Sequence, residues 1–252
     1  MIKAVCQTWL KAETENSSQL RPDQKKQISQ GKTLQIRLIG VTDKHALVEL
    51  TNGEQWYIYI PHWSGLELFP NGVLKPAITK RPSTTETIEA IVRYAIAVGV
   101  TDFRRIAYIL ATAEGEANFK PIREIRGTTL TSDQKKYWHT GYYGRGLIQV
   151  TWLNNYRKVG NNLGLDLVAQ PDLLLTHSVA IASLVLGMRD GWYTGKKLAD
   201  YQDYWNMRNI VNPGEIKYKR YHKRAKKFVT FAEKWEQYLR NFCHIFDGIV
   251  ID

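Results

Sequence analysis

The stretch that decides how this chain is interpreted is Tyr142-Tyr143-Gly144-Arg145-Gly146-Leu147-Ile148-Gln149-Val150-Thr151-Trp152. Its two glycines permit tight backbone conformations. Aromatic rings precede the glycines, and amide and hydroxyl groups follow them and continue into Asn154 and Asn155. By residue type alone, the run is either a structural turn between two short strands or a surface that binds the polar groups of a ligand, and both interpretations stay open here.

Two glutamates upstream, Glu114 and Glu116, are candidates for acid chemistry. They lie two positions apart, so a helix turns them about 200° from each other and only one can face a given cleft. Glu116 continues the apolar stripe of Ile109 and Ala113, and burial would favour the protonated form that a general acid needs. The alternative is a solvated carboxylate at the end of a helix.

A third glutamate, Glu124, lies between Arg123 and Arg126. Neighbouring positive charge favours the ionised carboxylate, which suits a general base, although a surface ion pair explains the same pattern. One protonated and one ionised carboxyl group, followed by aromatic and amide side chains, are what cleavage of a glycosidic bond requires. The sequence therefore indicates a sugar-cleaving site.

The net charge of +11 comes from 35 Lys and Arg against 24 Asp and Glu, and it predicts attraction to polyanions such as nucleic acid, anionic lipid, teichoic acid or peptidoglycan. The hydrophobic content of 44% is typical of a globular chain and excludes a disordered or fibrous class. The first residues lack the apolar core of a signal peptide, and no window has the roughly 20 apolar residues of a membrane span. We expect a protein made in the cytoplasm, without stable membrane insertion.

The two cysteines, Cys6 and Cys243, form neither a disulfide framework nor a metal-ligand spacing. The six histidines are scattered without a zinc-binding pattern. We therefore expect no metal and no cofactor.

The pattern of residues 1–67 predicts a small all-β unit. Residues 33–39, 45–50 and 55–60 have the composition of strands, and Asn52-Gly53 predicts a hairpin turn. Residues 68–83 are rich in proline and are interpreted as a linker. The second domain, residues 84–252, is expected to be mainly helical.

The helical patterns of the second domain begin at Ser83, where Ser83 and Glu86 form a capping box before a helix that ends at Gly99. Thr101 or Asp102 caps the next helix, and Gly115 is expected to loosen its last turn. Further helices are predicted at 155–163, 179–189, 195–204 and 217–246, with a short strand at 147–151.

The basic run at 217–227 is compatible with nucleic-acid binding, because Tyr218 and Tyr221 alternate with lysine and arginine. However, Tyr218, Tyr221, Ala225, Phe228 and Val229 recur at helical spacing, which predicts a buried stripe beneath a solvated basic face. We expect no nucleic-acid partner.

The order of these features resembles the family 19 glycoside hydrolases, which include chitinases and lysozyme-like endolysins of bacteriophages. The resemblance is most specific over residues 142–156. It continues through Leu163-Gly164-Leu165-Asp166-Leu167, Gln170-Pro171-Asp172-Leu173 and residues 191–198, and it spans roughly residues 84–240. It implies a lysozyme-like catalytic domain that inverts the anomeric configuration, with carboxyl groups roughly 6.5–9.5 Å apart.

The resemblance also implies roles for particular residues. Glu116 matches the general acid, with Glu114 as the alternative because the histidine usual in this motif is missing, and Glu124 matches the general base. The positions that match substrate-binding residues are Tyr143, Arg145, Gln149, Thr151, Asn155 and Asn212.

The N-terminal unit resembles small SH3-like domains of bacterial wall-associated proteins, on Thr8-Trp9-Leu10-Lys11 and residues 56–63. This implies docking on the cell wall through Trp56, Tyr57, Tyr59 and Trp63. The alternative is that alternate members of this set form the core.

The resemblance as a whole implies an α+β protein, with a mainly α-helical lysozyme-like catalytic domain preceded by a small all-β SH3-like barrel. We expect a monomeric endolysin-type hydrolase of β-1,4 bonds in peptidoglycan, cytoplasmic until release. The alternatives are a chitinase acting on β-1,4-linked N-acetylglucosamine and a non-catalytic protein that binds cell walls.

Overall fold

The computed structural model describes residues 1–42 and 44–242. Its strands are β1 (Ile2–Ala4), β2 (Thr8–Lys11), β3 (Lys25–Ile28), β4 (Thr33–Leu34), β5 (Ile36–Thr42), β6 (His45–Leu50), β7 (Gln55–Tyr59), β8 (Trp63–Ser64), β9 (Glu67–Leu68), β10 (Leu74–Lys75), β11 (Ile122–Arg123) and β12 (Arg145–Gly146). Its helices are α1 (Thr84–Ala97), α2 (Phe103–Ala117), α3 (Gln134–Tyr137), α4 (Leu153–Leu163), α5 (His177–Asp190), α6 (Tyr204–Met207), α7 (Gly214–Lys217) and α8 (His222–Phe242). The predicted α+β class is confirmed.

The N-terminal strands form two antiparallel sheets, one in the order β3-β2-β7-β6-β5 and one in the order β4-β1-β8. The predicted hairpin joins β6 to β7, and Gly53 at its turn has a φ of 82°, which suits glycine. The apolar side chains of these strands meet in a core that includes Leu10, Val48 and Ile58.

The prediction of a closed SH3-like barrel is wrong, because the N-terminal sheet does not close on itself within the described residues. A closed barrel requires the two edge strands of the sheet to pair. Here β3 and β5 lie at opposite ends of the five-stranded order, and they form no ladder with each other in the described part of the chain. Trp63, expected as a wall contact, is 3% exposed and belongs to the core, whereas Trp56, Tyr57 and Tyr59 are half-buried.

The first part of the predicted linker is packed rather than free. β9 and β10 pair as a short antiparallel ladder. Phe69, directly after β9, and Leu74, in β10, are buried in the core of the helical part. The hydroxyl of Tyr94 on α1 donates a hydrogen bond to the carbonyl of Leu74 at 2.7 Å. The division into domains at residues 67 and 84 stays a prediction.

Helices α1 and α2 begin where the capping residues predict. Ser83 and Glu86 form the capping box, with the amide of Glu86 donating to Oγ of Ser83 at 3.2 Å. Asp102 caps α2 by accepting from the amide of Arg105 at 2.9 Å. Each such cap stabilises its helix by about 1 kcal/mol.

The later helices match the predictions unevenly. α4 and α5 lie where helices were predicted. Residues 195–204 do not form one helix, because they contain only a short 3-10 turn at Leu198–Asp200 before α6. The predicted strand near residue 147 is reduced to β12 and an isolated bridge between Arg145 and Val150. Cys243, His244 and the predicted helix beyond 242 lie outside the described residues.

No helix within the described ranges is both long and apolar enough to cross a membrane.

Helix α2 continues through Gly115 to Ala117, so the expectation that this glycine loosens the last turn is wrong. A Cβ at Gly115 would lie 2.2 Å from Cε1 of Phe228 on α8, and Phe228 is fully buried. The glycine therefore serves the close packing of α8 on α2, and tertiary contact outweighs its poor helix propensity.

We predict that Gly115→Ala destabilises the protein although alanine is the better helix former. The methyl group collides with a buried ring, and overpacking of this kind costs about 1–3 kcal/mol. Urea unfolding of Gly115→Ala and of Gly115→Ala with Phe228→Leu tests this prediction. Recovery of stability in the double variant is expected, and a single variant as stable as the parent would contradict the close contact.

Candidate active site

A cleft of about 600 Å³ lies between the end of α2, the stretch around β12 and the segment before α7. Six of the residues singled out from the sequence line it, and they come from four separate segments of the chain: Glu116, Glu124, Gln149, Thr151, Asn155 and Asn212. Folding therefore brings both candidate carboxylates to one cavity together with amide and hydroxyl groups.

Glu116 is held by two arginines. Its side chain is only 8% exposed, and its carboxylate oxygens accept from Nη2 of Arg208 at 2.5 Å and from Nη2 of Arg224 at 3.1 Å. The sequence led us to expect a buried carboxyl group without charged partners. The structure instead places two arginine side chains against this carboxyl group.

Arg208 and Glu215, which the sequence analysis missed, complete a buried charge network behind Glu116. Both side chains are nearly fully buried, and Nε of Arg208 donates to Glu215 at 2.8 Å. Burial by itself lowers the pKa of Arg208, but the charges of Glu116 and Glu215 outweigh it and raise that pKa. No periodicity or motif around residue 208 indicated a buried ion pair.

Glu124 is positioned by three neutral donors rather than by its flanking arginines. Its Oε1 accepts from the hydroxyl of Tyr137 at 2.7 Å and from the amide of Gln134 at 3.0 Å, and its Oε2 accepts from the backbone amide of Gly144 at 2.9 Å. Arg123 pairs with Asp172 instead. These three hydrogen bonds fix the orientation of the Glu124 carboxyl group in the cleft.

Glu114 does not line the cleft. Its Oε2 accepts from the indole nitrogen of Trp235 at 2.7 Å, on the side of α2 that faces α8. Of the two glutamates that the sequence left open, Glu116 is the one that the helix turns toward the cavity.

Hydrogen bonds to backbone carbonyls and to one carboxylate fix the polar side chains of the cleft. The amide of Gln149 donates to the carbonyls of Ile122 at 3.0 Å and Gly146 at 2.9 Å. Asn155 donates to the carbonyl of Thr151 at 2.9 Å, and Asn212 donates to Glu215 at 3.0 Å. These bonds occupy donors and leave amide oxygens as the groups that can accept from a ligand.

Tyr143 and Arg145, predicted to bind substrate, are not among the residues that line the cleft. Arg145 is 4% exposed, and it donates to Asp172 at 2.8 Å and to the hydroxyl of Tyr156 at 2.7 Å. Tyr143 stacks on Trp138 with ring centroids 4.6 Å apart. The contacts of both side chains are therefore with neighbouring residues of the fold, and they stabilise the loop around β12.

Trp152 is a cleft residue that the sequence analysis did not assign. Its indole is 44% exposed, it contacts Tyr137 edge to face at 5.0 Å, and its φ is 76°. Gln149 also has a positive φ, of 54°. Non-glycine residues in this backbone region are strained and occur often at functional sites. The remaining cleft residues that were not assigned are Asp133, Tyr137, Ile148, Val150, Tyr193, Val211 and Arg224.

No group of three or more histidine, cysteine, aspartate or glutamate side chains that could hold a metal ion occurs among residues 1–42 and 44–242.

The chain matches a known family over part of this site. Residues 126–193 match the model of glycoside hydrolase family 19, described as chitinase class I. This match supports a family 19 glycoside hydrolase domain. The family 19 match is shorter than the resemblance noted from the sequence. It includes Gln149, Thr151 and Asn155, and it excludes Glu116, Glu124 and Asn212.

The relatives of this family 19 segment cover short parts of both chains. Chitinase 8 of Oryza sativa subsp. japonica is 60% identical over 38 residues, which are 15% of this chain and 15% of that protein. An endochitinase of Arabidopsis thaliana is 40% identical over 78 residues, 28% of this chain and 30% of that protein. A protein of the same plant that is named an inactive endochitinase is 43% identical over 76 residues, 28% of each chain. The chain thus spans less than a third of the length of these relatives, one of which is named as inactive.

Among solved structures, chitinase C from Streptomyces griseus HUT6037 is similar with a TM-score of 0.48 and 16% identity, covering 82% of this chain and 94% of that chain. A similarity of this degree is too low to identify the fold.

We predict that the ion pairs of Asp172 with Arg123 and Arg145, which stabilise the loop around β12, contribute less to stability in acid. Partial burial by itself raises the pKa of Asp172, but the hydrogen bonds and charges of Arg123 and Arg145 outweigh it and lower that pKa below its usual 3.8. Stability from a group with a lowered pKa is present above the usual pKa and is lost as pH falls through the lowered one. Asp172→Asn should therefore cost about 1 kcal/mol at neutral pH, discounted for the exposure of Asp172.

Urea unfolding of the parent protein and Asp172→Asn at neutral pH and at about pH 3 tests this. The difference between the two proteins should shrink in acid. An equal difference at both pH values would mean that Asp172 acts through packing rather than charge.

Proposed function

We propose that this protein is a glycoside hydrolase that cleaves β-1,4 bonds between N-acetylglucosamine units, as a chitinase does, by inverting acid/base catalysis. The observation that carries the proposal is that two carboxylates, Glu116 near the end of α2 and Glu124 directly after β11, line one cleft with amide and hydroxyl side chains from later in the chain. The family 19 match over residues 126–193, which contribute Gln149, Thr151 and Asn155 to the cleft, supports the same reaction class. The names of the plant relatives favour chitin over other glycans.

Glu124 is the proposed general base. Its three hydrogen-bond donors hold the carboxylate in one orientation, from which it would accept a proton from an attacking water. Inversion requires that this water attack the anomeric carbon from the face opposite the leaving oxygen. Gln149 and Thr151 are the proposed partners of the water and the sugar.

Glu116 is the proposed general acid, which must carry a proton when the leaving oxygen departs. In the free protein its two carboxyl oxygens are occupied by ion pairs with Arg208 and Arg224. The side chain of Arg208 is 1% exposed, whereas that of Arg224 is 55% exposed and can move. Displacement of Arg224 by the bound glycan would therefore free Oε2 of Glu116 to contact the leaving oxygen.

A second candidate is cleavage of bacterial peptidoglycan, as in an endolysin that stays in the cytoplasm until release. The observation that favours it is the net charge of +11, because a cationic protein is attracted to a polyanionic wall and gains nothing of this kind from neutral chitin. On this candidate, the exposed parts of Trp56 and Tyr59 in the β-rich N-terminal unit are proposed wall contacts, and the protein acts as a monomer.

We predict that Glu116→Gln and Glu124→Gln each lower the rate of cleavage of chitin hexamers by at least about 100-fold, because each removes a proton-transfer group. Mass spectrometry of the products gives the bond that is cut. Proton NMR of the fresh reducing ends should give the α-anomer first, as inversion of a β-bond requires.

Glu114→Gln is the matched control, since its carboxylate contacts Trp235 outside the cleft, and it should keep the parent's activity. Muramic acid at the new reducing ends of peptidoglycan, with chitin intact, would favour the second candidate. Cleavage of neither polymer, together with tight sedimentation on cell walls, would identify a non-catalytic binding protein.

A further inference from the structure

We propose that the exposed basic segment at residues 217–227 binds anionic substituents of a glycan strand whose backbone lies in the active-site cleft. This inference rests on the part of the proposed function that places a β-1,4 glycan in the cleft, and it narrows the substrate from neutral chitin to a β-1,4 glycan that carries carboxylate or other negatively charged groups. We call these eleven residues the basic segment.

The charges of the basic segment are mostly unpaired within the fold. Seven of its residues are basic and all seven are exposed: Lys217, Lys219, Arg220, Lys223, Arg224, Lys226 and Lys227. Among described residues, only Arg224 forms an ion pair, with Glu116 and Glu215. The other six have no described carboxylate within the 4.0 Å of an ion pair. This density of positive charge therefore contributes little to holding the fold together.

The position of these charges is also unfavourable for the helix that carries them. α8 begins at His222, and no acidic residue lies in its first turn. Lys223 and Arg224 lie at that end, where the helix dipole is positive and favours anions over cations. A bound anionic group would relieve this repulsion.

The basic segment lies beside the cleft and contributes one residue, Arg224, to its lining. Asn212, just before α7, lines the cleft, and Arg224 lines it again after the chain has passed through the exposed part of the segment. Arg220 lies near another cleft residue, Asp133, whose pKa is lowered mainly by Lys136 and further by Arg220. A glycan strand in the cleft would therefore have its substituents within reach of these cations.

Aromatic rings accompany the charges. Tyr218 is 44% exposed and Tyr221 is 38% exposed, so both are available on the surface rather than in the stripe that helical spacing predicted. The guanidinium of Arg220 lies 5.2 Å from the ring centroid of Tyr218 and 4.9 Å from that of Tyr221. Flat apolar rings between cations suit sugar rings that carry negative groups. Continuity with the cleft favours a glycan over nucleic acid.

The test compares two polymers with the same β-1,4 N-acetylglucosamine backbone: carboxymethyl chitin, which is anionic, and glycol chitin, which is neutral. For the parent protein, kcat/KM on the anionic polymer should fall roughly tenfold between low and high salt, because salt screens exposed charges. The neutral polymer should show a much smaller change.

A triple variant, which we call the basic-segment variant, removes three charges: it carries Lys219→Gln, Arg220→Gln and Lys223→Gln. It should lower the ratio of kcat/KM on the anionic polymer to that on the neutral polymer by roughly tenfold. The matched control removes three exposed charges elsewhere, through Lys3→Gln, Lys32→Gln and Lys158→Gln, and should keep the ratio of the parent. An equal ratio in all three proteins would overturn the proposal.

Retention of each protein in native gels that contain either polymer separates this inference from the proposed function, since it needs no catalysis. Retention by carboxymethyl chitin that is lost only in the basic-segment variant supports the inference even if neither polymer is cleaved. Equal retention of the variant and the control overturns it. Stronger retention by duplex DNA than by carboxymethyl chitin, lost in the same variant, would overturn it in favour of a nucleic-acid surface.

Discussion

The buried guanidinium of Arg208 is the constraint on which the arrangement of the cleft depends. It contacts Glu116 at the end of α2, Glu215 on α7 and the ring of Phe228 on α8, whose centroid is 3.7 Å away. A charge this deeply buried is tolerated only when it is paired, and removal of one partner leaves the others uncompensated. The cation therefore ties the end of α2 to α7 and α8, which come much later in the chain.

The two candidate carboxylates are held by different physical means. Glu116 depends on charge, through two arginines, whereas Glu124 depends on neutral donors and on the close approach of Gly144. A Cβ at Gly144 would lie 2.7 Å from Oε1 of Gln149 and 3.3 Å from Oε2 of Glu124, so a side chain there would displace both groups. Charge pairing can change when a ligand enters, while a hydrogen-bonded carboxylate in a tight loop stays in place. The asymmetry agrees with the separate roles of acid and base that we propose for Glu116 and Glu124.

Local signals in the sequence were sufficient where local physics decides the structure. The capping box at Ser83 and Glu86 and the hairpin at Gly53 were predicted from a few adjacent residues and are present. Closure of the N-terminal sheet depends on whether distant edges pair, and strand patterns carry no information about that. In the same way, arginine is usually a surface residue, and only tertiary packing makes Arg208 the centre of a buried network.

The exposure of Tyr218 and Tyr221 has a geometric origin. The prediction of an apolar stripe from Tyr218 to Phe228 used the helical period of 3.6 residues throughout. It therefore assumed that these residues form one continuous helix. The chain instead passes through α7 and a 3-10 turn at Lys219–Tyr221 before α8 begins, so the helical phase is lost at residue 222. Ala225 and Phe228 keep the phase and are buried, whereas the tyrosines remain at the surface with the cations. A break in helical phase thus places a basic and aromatic surface at the edge of the cleft.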